Sequence, residues 1–434
     1  MTQLTDPPRS ITTARRPAWR HVSVSAVVAG LVAVAISYAG PLLVVLGAAQ
    51  RAGLDAAQTA SWVWAISVGS GIICVAMSLV TRQPVVVAWS VPGAALLITT
   101  LGDYAYSDAI GAFIVTGVLT IILGVTGWFG RLMQALPKPI MAGVLAGVLL
   151  PFVLDAAGAS AEAPIVAGGL VLAYFLGRRL LPRYAVLLAL AVGVVLAFAT
   201  GTTTAAHLSA GATMPLWTTP TFDLQAVMGI SIPLLIVTMA GQNGPGLAMM
   251  HSNGYAADDR LLLGAAGAGS VLFAPFGAHS INLAAITAGI CCGREAHEDP
   301  ARRYVAGISC GVFFAAFGFA GQNIVELLGA VPEQLVTAAA GVALIGALQG
   351  ALTDTVRVDP PAGGAKAGGA KAGGAKATGS TGRARLAGLE AGVVTLAVTA
   401  SGLTVADIAA PFWGFLAGAL VYLVLTATAH RRGT

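Results

Sequence analysis

The sequence predicts an all-α polytopic membrane protein, with about fourteen transmembrane segments in two inverted halves of seven. First, 57% of the 434 residues are hydrophobic and only 9% are charged, whereas a soluble domain has roughly 25% charged residues. Second, the apolar sequence falls into uncharged intervals, most of them near the roughly 20 residues that a crossing helix needs. Third, interrupted segments occur at corresponding places in the two halves, a pattern typical of inverted repeats in membranes.

The uncharged intervals place the individual spans. The two intervals between Arg260 and Arg294 share only 33 residues, so at least one of them is predicted to be shorter than a full crossing. The predicted spans are 24–49, 58–80, 84–101, 108–128, 138–154, 162–179, 184–201, 226–250, 260–273, 278–293, 303–320, 332–352, 386–401 and 407–427.

The distribution of basic residues supports this number of spans. If the N-terminus is cytoplasmic and each span changes sides, all of the 23 Lys and Arg residues except Arg51 fall in the cytoplasm. A wrong number of spans would scramble this alternation, so the positive-inside bias favours fourteen. Both termini are then cytoplasmic, and the expected location is a bacterial-type plasma (inner) membrane. If the two short spans within 260–293 form one re-entrant hairpin, all later loops stay on the same side of the membrane. The charge distribution therefore fits that alternative equally well.

Two of the predicted spans contain residues that interrupt a helix, in 83–97 and 274–289. A broken backbone and an imidazole are tolerated within a bilayer only where they line a cavity. We therefore expect each segment to form a short extended piece and then a half-helix. The two half-helix N-termini should face each other around a small anion, which free N–H groups and the helix dipole favour. The residues expected to shape these turns are Ser90, Pro92, Gly93, His279, Ser280 and Asn282.

Adjacent amides in the eighth predicted span are further candidates. Gln242 and Asn243 lie among glycines, and neutral amides suit an anionic ligand because a fixed carboxylate would repel it. The alternative is that they hydrogen-bond between helices. The turn at Ser90–Gly93 has a comparable alternative, a proline kink that neighbouring helices satisfy.

One histidine and three aromatic residues complete the candidate site. His279 can change its charge in the physiological pH range, so it is interpreted as the carrier of a coupled proton or as a donor to a carboxylate. An orienting hydrogen bond and a purely structural role are the alternatives. Tyr38, Trp89 and Phe276 are candidates for packing against an aromatic ligand, although such residues more often pack only against neighbouring helices.

Several function classes are not supported by the sequence. The four cysteines lie in apolar surroundings without metal-ligand spacing, so no metal or other cofactor is expected. The net charge of +5 lies in loops and does not indicate nucleic-acid binding. No Ser-His-Asp set or paired acids indicates an enzyme. The Ala-Gly-Gly-Ala-Lys repeats within 356–385 bury little apolar area, and this loop is predicted to be a disordered cytoplasmic linker.

Several stretches match a known family of membrane proteins. They are 84–97, 238–247 with Gly254 and Tyr255, 275–287, 299–304, and 399–402 with 412–414. Together these stretches resemble the benzoate/proton symporter (BenE) family over nearly the whole chain, apart from both tails and the repeat loop. Two departures, Gly244 after Asn243 and Ala278-His279-Ser280 in place of Gly-His-Thr, bear on which aromatic acid fits.

This resemblance implies an architecture of a core and a gate. The family is related to the fold of uracil and sulfate permeases, with seven-plus-seven inverted repeats. The implied regions are a tail (1–21), core (22–128), gate (129–205), core (226–320), gate (332–427, containing the loop 356–385) and a tail (428–434).

The resemblance also implies secondary active import of benzoate or a close aromatic carboxylate with a proton, by alternating access. The expected partners are that acid, the proton and membrane lipid, and a homodimer is compatible with the sequence. The rivals are a nucleobase or inorganic-anion permease of the same fold and a passive anion channel. An acid-free pocket argues against a nucleobase.

Overall fold

The computed structural model describes residues 21–135, 137–204, 208, 211–284, 286–356, 379–405, 408 and 410–430. These residues are helical apart from two three-residue strands and the connecting segments, which confirms the all-α prediction. In chain order the elements are α1 (Val24–Ala39), α2 (Pro41–Arg51), α3 (Ala56–Thr81), β1 (Val87–Trp89), α4 (Val91–Thr100), α5 (Tyr106–Thr126), α6 (Trp128–Ala135), α7 (Lys138–Glu162), α8 (Gly169–Leu180), α9 (Ala185–Ala199), α10 (Leu224–Ala226), α11 (Ile232–Thr238), α12 (Gly244–Ser252), α13 (Asp259–Phe273), β2 (Ile281–Leu283), α14 (Ile286–Cys292), α15 (Tyr304–Phe319), α16 (Gly321–Gly329), α17 (Glu333–Val356), α18 (Gly379–Ala400) and α19 (Ala410–His430).

Helices overlap every predicted span. Six helical stretches of the described chain are long and apolar enough to cross a bilayer, and a pair bent by 66° at the α15–α16 junction would add a seventh. The other predicted spans correspond to helices whose apolar part is shorter or to broken helices, so the total of fourteen crossings stays a prediction. Two π-helical turns, Val227–Ser231 and Met239–Asn243, join α10, α11 and α12 into one stretch, Leu224–Ser252.

The loop predicted at 356–385 is helical at both of its ends. α17 continues through Val356 and α18 begins at Gly379, so the last seven residues of the predicted disordered loop are helical. The remaining part, 357–378, lies outside the described residues, as do most of the two predicted tails. A break predicted before residue 162 is also absent, because α7 runs to Glu162.

Two short helices were not predicted. α6 connects α5 to α7, and α16 connects α15 to α17, so they occupy equivalent places in the two halves. Both have their apolar residues on one side, and Trp128 of α6 is exposed. A search for long uninterrupted apolar intervals misses amphipathic helices of this kind.

The helices pack as two related halves. α3 packs along α15 and α5 packs along α13, which is the same contact with the halves exchanged. α7 packs against α17, and the pairs α8–α9 and α18–α19 are equivalent as well. The largest contacts therefore form two groups, one built from α1–α5 and α10–α15 and the other from α7–α9 and α17–α19.

Glycines allow the closest of these contacts. A Cβ atom added to Gly71 of α3 would lie 2.5 Å from the carbonyl oxygen of Gly311 in α15, and the reverse substitution gives the same distance. Helices in lipid associate through such small residues because the backbones can then approach closely. The 55 glycines of the sequence are thus partly explained by helix packing.

Candidate functional site

Two short strands cross at the centre of the first group of helices. β1 and β2 are antiparallel, with Ala88 opposite Asn282. The pairing continues through Ser90 N–H to the Ser280 carbonyl at 3.2 Å. Unpaired backbone groups are costly at membrane depth, and the two extended pieces satisfy each other's backbone. Each strand leads into a short helix, as predicted for two broken spans.

The start of α4 uses most of its own backbone donors. The Ser90 hydroxyl accepts the Gly93 N–H at 2.9 Å, and the Ser90 carbonyl accepts the Ala94 N–H at 2.8 Å. Pro92 has no N–H. Among residues 91–93, all described, only the Val91 N–H remains available to a ligand. The N-terminus of α4 therefore offers a ligand one free N–H group instead of the several that were expected.

The N-termini of α4 and α14 differ from expectation in two further respects. A Cβ atom on Gly93 would lie 2.5 Å from Leu234 Cδ1, so this glycine is required by helix packing. α14 has only seven residues, and Ala284 before it donates its N–H to the Val86 carbonyl at 3.0 Å. α4 is accordingly the better candidate for an anion contact.

His279 is fully buried between the two broken segments. Trp62 Nε1 of α3 lies 3.0 Å from His279 Nδ1, and His279 Nε2 lies 2.9 Å from the Ser90 carbonyl oxygen. An indole N–H can only donate, so Nδ1 accepts, Nε2 carries the proton and the ring is neutral. Both ring nitrogens are occupied, and the ring fixes the junction of β1 and α4 to α3.

Three of the predicted polar residues bind one another. Asn243 Nδ2 donates to Asn282 Oδ1 at 3.0 Å, and Asn243 Oδ1 accepts the Leu283 N–H at 3.0 Å. Asn282 Nδ2 donates in turn to Ser280 Oγ at 2.8 Å. All three side chains are buried. Their network fastens β2 to the π-helical turn Met239–Asn243, which matches the alternative of hydrogen bonding between helices.

A cavity of about 430 Å³ opens beside the start of α4. Trp89, Pro92 and Gln242 are the predicted site residues that line it. The structure does not bring Ser90, Gly93, Asn243, His279, Ser280 or Asn282 to its wall; all six are buried in the packing behind it.

Two predicted aromatic contacts lie away from the cavity. The Tyr38 hydroxyl is 2.5 Å from Ser67 Oγ, and its ring meets Trp89 edge to face with centroids 5.6 Å apart. Phe276 packs against Trp64, with centroids 5.7 Å apart. Tyr38 thus supports a lining residue from behind, and Phe276 belongs to a separate aromatic cluster.

Sequence reasoning missed several lining residues. Ser37 and Thr287 contribute hydroxyls, while Lys138 and Asp354 lie at the end where α7 begins and α17 ends. Ser37 lies four residues before Pro41, inside the interval predicted as the first span. Lys138 was used only to assign topology and Asp354 was not considered, and their convergence on one cavity needs the helix packing.

A second, smaller cavity of about 140 Å³ lies on the same helices. Arg51, Asp155 and Glu333 are among its lining residues. On α17, Glu333–Ala340 contribute to the smaller cavity and Ala343–Asp354 to the larger. The two cavities are therefore placed end to end along α2, α4, α7 and α17, with closed packing between them.

Comparison with curated proteins gives matches over nearly the full length. The chain is 36% identical over 403 residues to the inner membrane protein YdcO of Escherichia coli (strain K12), covering 93% of this chain and 96% of that protein. It is 32% identical over 403 residues to the benzoate membrane transport protein of Acinetobacter baylyi, covering 93% and 95% of the two chains.

Solved structures include chains with the same fold. The transmembrane domain of a cyanobacterium bicarbonate transporter, BicA, superimposes with a TM-score of 0.58 at 13% identity, covering 91% of this chain and 97% of that chain. SLC26A9 gives a TM-score of 0.57 at 14% identity, covering 94% and 65%. At these identities the similarity shows the fold alone.

The family assignment follows from a match along almost the entire chain. A family model described as benzoate membrane transport protein, BenE, matches residues 20–424. Together with the apolar spans, this match shows a multi-pass membrane transporter. The chain belongs to the BenE family of benzoate membrane transport proteins.

Proposed function

We propose that this protein imports benzoate or a closely related aromatic carboxylate together with a proton. The observation that carries the proposal is the cavity of about 430 Å³ at the start of α4. Its largely apolar wall suits an aromatic ring. The positive end of the α4 dipole suits a carboxylate. The relative named as a benzoate membrane transport protein supports the same substrate class.

The polar lining favours an anion over a nucleobase. Gln242 is a neutral amide at the α4 end of the cavity, and among the described lining residues the carboxylate is Asp354, at the Lys138 end. A fixed acid beside the α4 tip would repel a carboxylate. A nucleobase site would instead benefit from acidic acceptors for its ring N–H groups.

We propose that the first group of helices acts as the core and the second group as the gate. The larger cavity lies between the two groups, and the smaller cavity lies on the same interface at the other end. Movement of one group against the other would close the first cavity and open the second. The predicted distribution of basic residues supports a cytoplasmic opening for the larger cavity.

Equivalent glycines contact the gate helices in both halves. Gly40 lies against α17, where an added Cβ would be 2.6 Å from Ala343 Cβ, and Gly241 lies against α7, where an added Cβ would be 3.4 Å from Leu145 Cδ2. Both partner residues follow an Ala-Gly-Val sequence in their helices. Equivalent glycines of the two halves thus lie at the boundary between the two groups of helices.

Proton coupling has an energetic reason. Moving one anion into a negative interior costs about 2.3 kcal/mol per 100 mV, and a co-transported proton cancels this cost. The geometry favours an orienting role for His279, since a proton on Nδ1 would break its bond with Trp62. Among the described lining residues the titratable side chains are Lys138 and Asp354.

Uptake into proteoliposomes tests the proposed function. Labelled benzoate should accumulate above equilibrium when the outside is acidic, and an uncoupler should collapse the gradient. Excess unlabelled aromatic acids should compete, whereas uracil, xanthine and sulfate should not. Uptake that never exceeds equilibrium would support a passive channel, and competition by nucleobases or sulfate would support a permease of the same fold.

Cysteine labelling tests the alternation between the two cavities. The native cysteines are buried, so Ala347→Cys in the larger cavity and Thr337→Cys in the smaller one can be followed separately. Conditions that raise the labelling of one by an impermeant thiol reagent should lower that of the other, because only one side opens at a time. Simultaneous labelling of both under every condition would contradict alternating access.

A further inference from the structure

Trp89 lies at the end of β1, one residue before the cap of α4. Its side chain is 1% exposed and lines the larger cavity. Tyr38 and Phe314 hold the indole ring edge to face, with centroid distances of 5.6 and 5.5 Å. The ring is thus fixed in place, and Trp89 lies two residues before Val91, whose N–H is the one that the start of α4 leaves available.

The Trp89 indole N–H is buried without an acceptor. A buried donor without a partner carries a large desolvation penalty and calls for an explanation. By contrast, Trp62 donates to His279 and Trp413 donates to the Ile408 carbonyl at 2.9 Å. Trp64 also lacks an acceptor, but it does not line the cavity.

The Val91 N–H is the second donor of the pair. Val91 lines the same cavity, and its N–H is the one that the capping of α4 by Ser90 leaves over. A carboxylate has two oxygens and accepts from two donors. We infer that the Trp89 indole N–H and the Val91 backbone N–H together bind the carboxylate of the substrate, while the apolar wall holds its ring.

This assignment rests on the proposed function and gives Trp89 a role beyond aromatic packing. The donor is neutral, so it holds the anion without adding a charge that would have to cross with the moving core. The same donor has no partner when the cavity is empty. Binding of the carboxylate therefore satisfies a group that the empty protein leaves unsatisfied.

Replacement of Trp89 by phenylalanine tests the assignment, with Trp64→Phe as the matched control. The W89F protein should keep its melting temperature without ligand, because phenylalanine retains the edge contacts and the deleted N–H had no partner. Its KM and Kd for benzoate should rise about ten- to hundredfold, as for loss of a hydrogen bond to a charged group. The maximal uptake rate should change little. The rise in melting temperature that benzoate gives to the wild type should shrink in W89F and persist in W64F.

An isosteric replacement covers the case in which W89F fails to fold. Benzothienylalanine at position 89 keeps the ring size and replaces the N–H by sulfur, so it should show the same loss of benzoate affinity. Wild-type affinity in either variant would overturn the Trp89 assignment while leaving transport intact. Absence of benzoate binding and uptake in the wild type would overturn the proposed function, and the assignment with it.

Discussion

Replacing His279 with alanine should destabilise the protein severely and abolish uptake. The substitution removes the acceptor of the Trp62 N–H and the donor to the Ser90 carbonyl, both in a fully buried place. The orphaned Trp62 N–H costs about 1–3 kcal/mol, and the Ser90 carbonyl, which keeps the Ala94 N–H, loses one of its two bonds at about 0.5–1.5 kcal/mol. The buried space left by the imidazole adds to this loss. The melting temperature in detergent and the yield of monodisperse protein measure this loss.

His279→Gln separates a structural role from proton transfer. The glutamine amide offers one donor and one acceptor, so part of the stability should return. If His279 only orients the start of α4, residual benzoate uptake by this variant should keep the pH dependence of the wild type. A well-folded His279→Gln protein whose uptake no longer depends on the pH gradient would identify His279 as the proton carrier and refute the orienting role.

The second large effect is expected from Asn243→Ala, with Gln242→Ala as its neighbour control. Asn243 supplies the donor to Asn282 and the acceptor for the Leu283 N–H, so its loss should lower the melting temperature and disorder the crossing of β1 and β2. Gln242 lines the cavity, and its loss should raise KM for benzoate while the melting temperature stays near that of the wild type. Equal effects of the two substitutions on stability would contradict this division.

Hydropathy and charge predicted the membrane class and the two broken spans because both signals are local. The turn at Ser90–Gly93 and the segment around His279 each form a strand followed by a half-helix, as expected from their proline, glycine and polar residues. The short helices α6 and α16 were missed because their apolar residues occupy one face only.

The candidate site was predicted less completely. Asn243, Asn282 and Ser280 were expected to face a ligand, whereas they satisfy one another. Ser37 and Thr287 were not expected and line the cavity. A polar residue that bonds to its neighbours and one that lines a cavity look the same in a sequence, since each is a rare polar residue in an apolar interval.

The sequence by itself determined that the chain crosses a membrane, that it contains two interrupted helices, and that its halves are related, because length, hydropathy and helix breakers act within a few residues. Only the tertiary structure decided which polar groups are available to a substrate. Trp62 and His279 are 217 positions apart and bond directly, while the N–H of Trp89, the residue before a helix cap, finds no acceptor. Whether a buried group has a partner depends on contacts between distant segments, which no local pattern reveals.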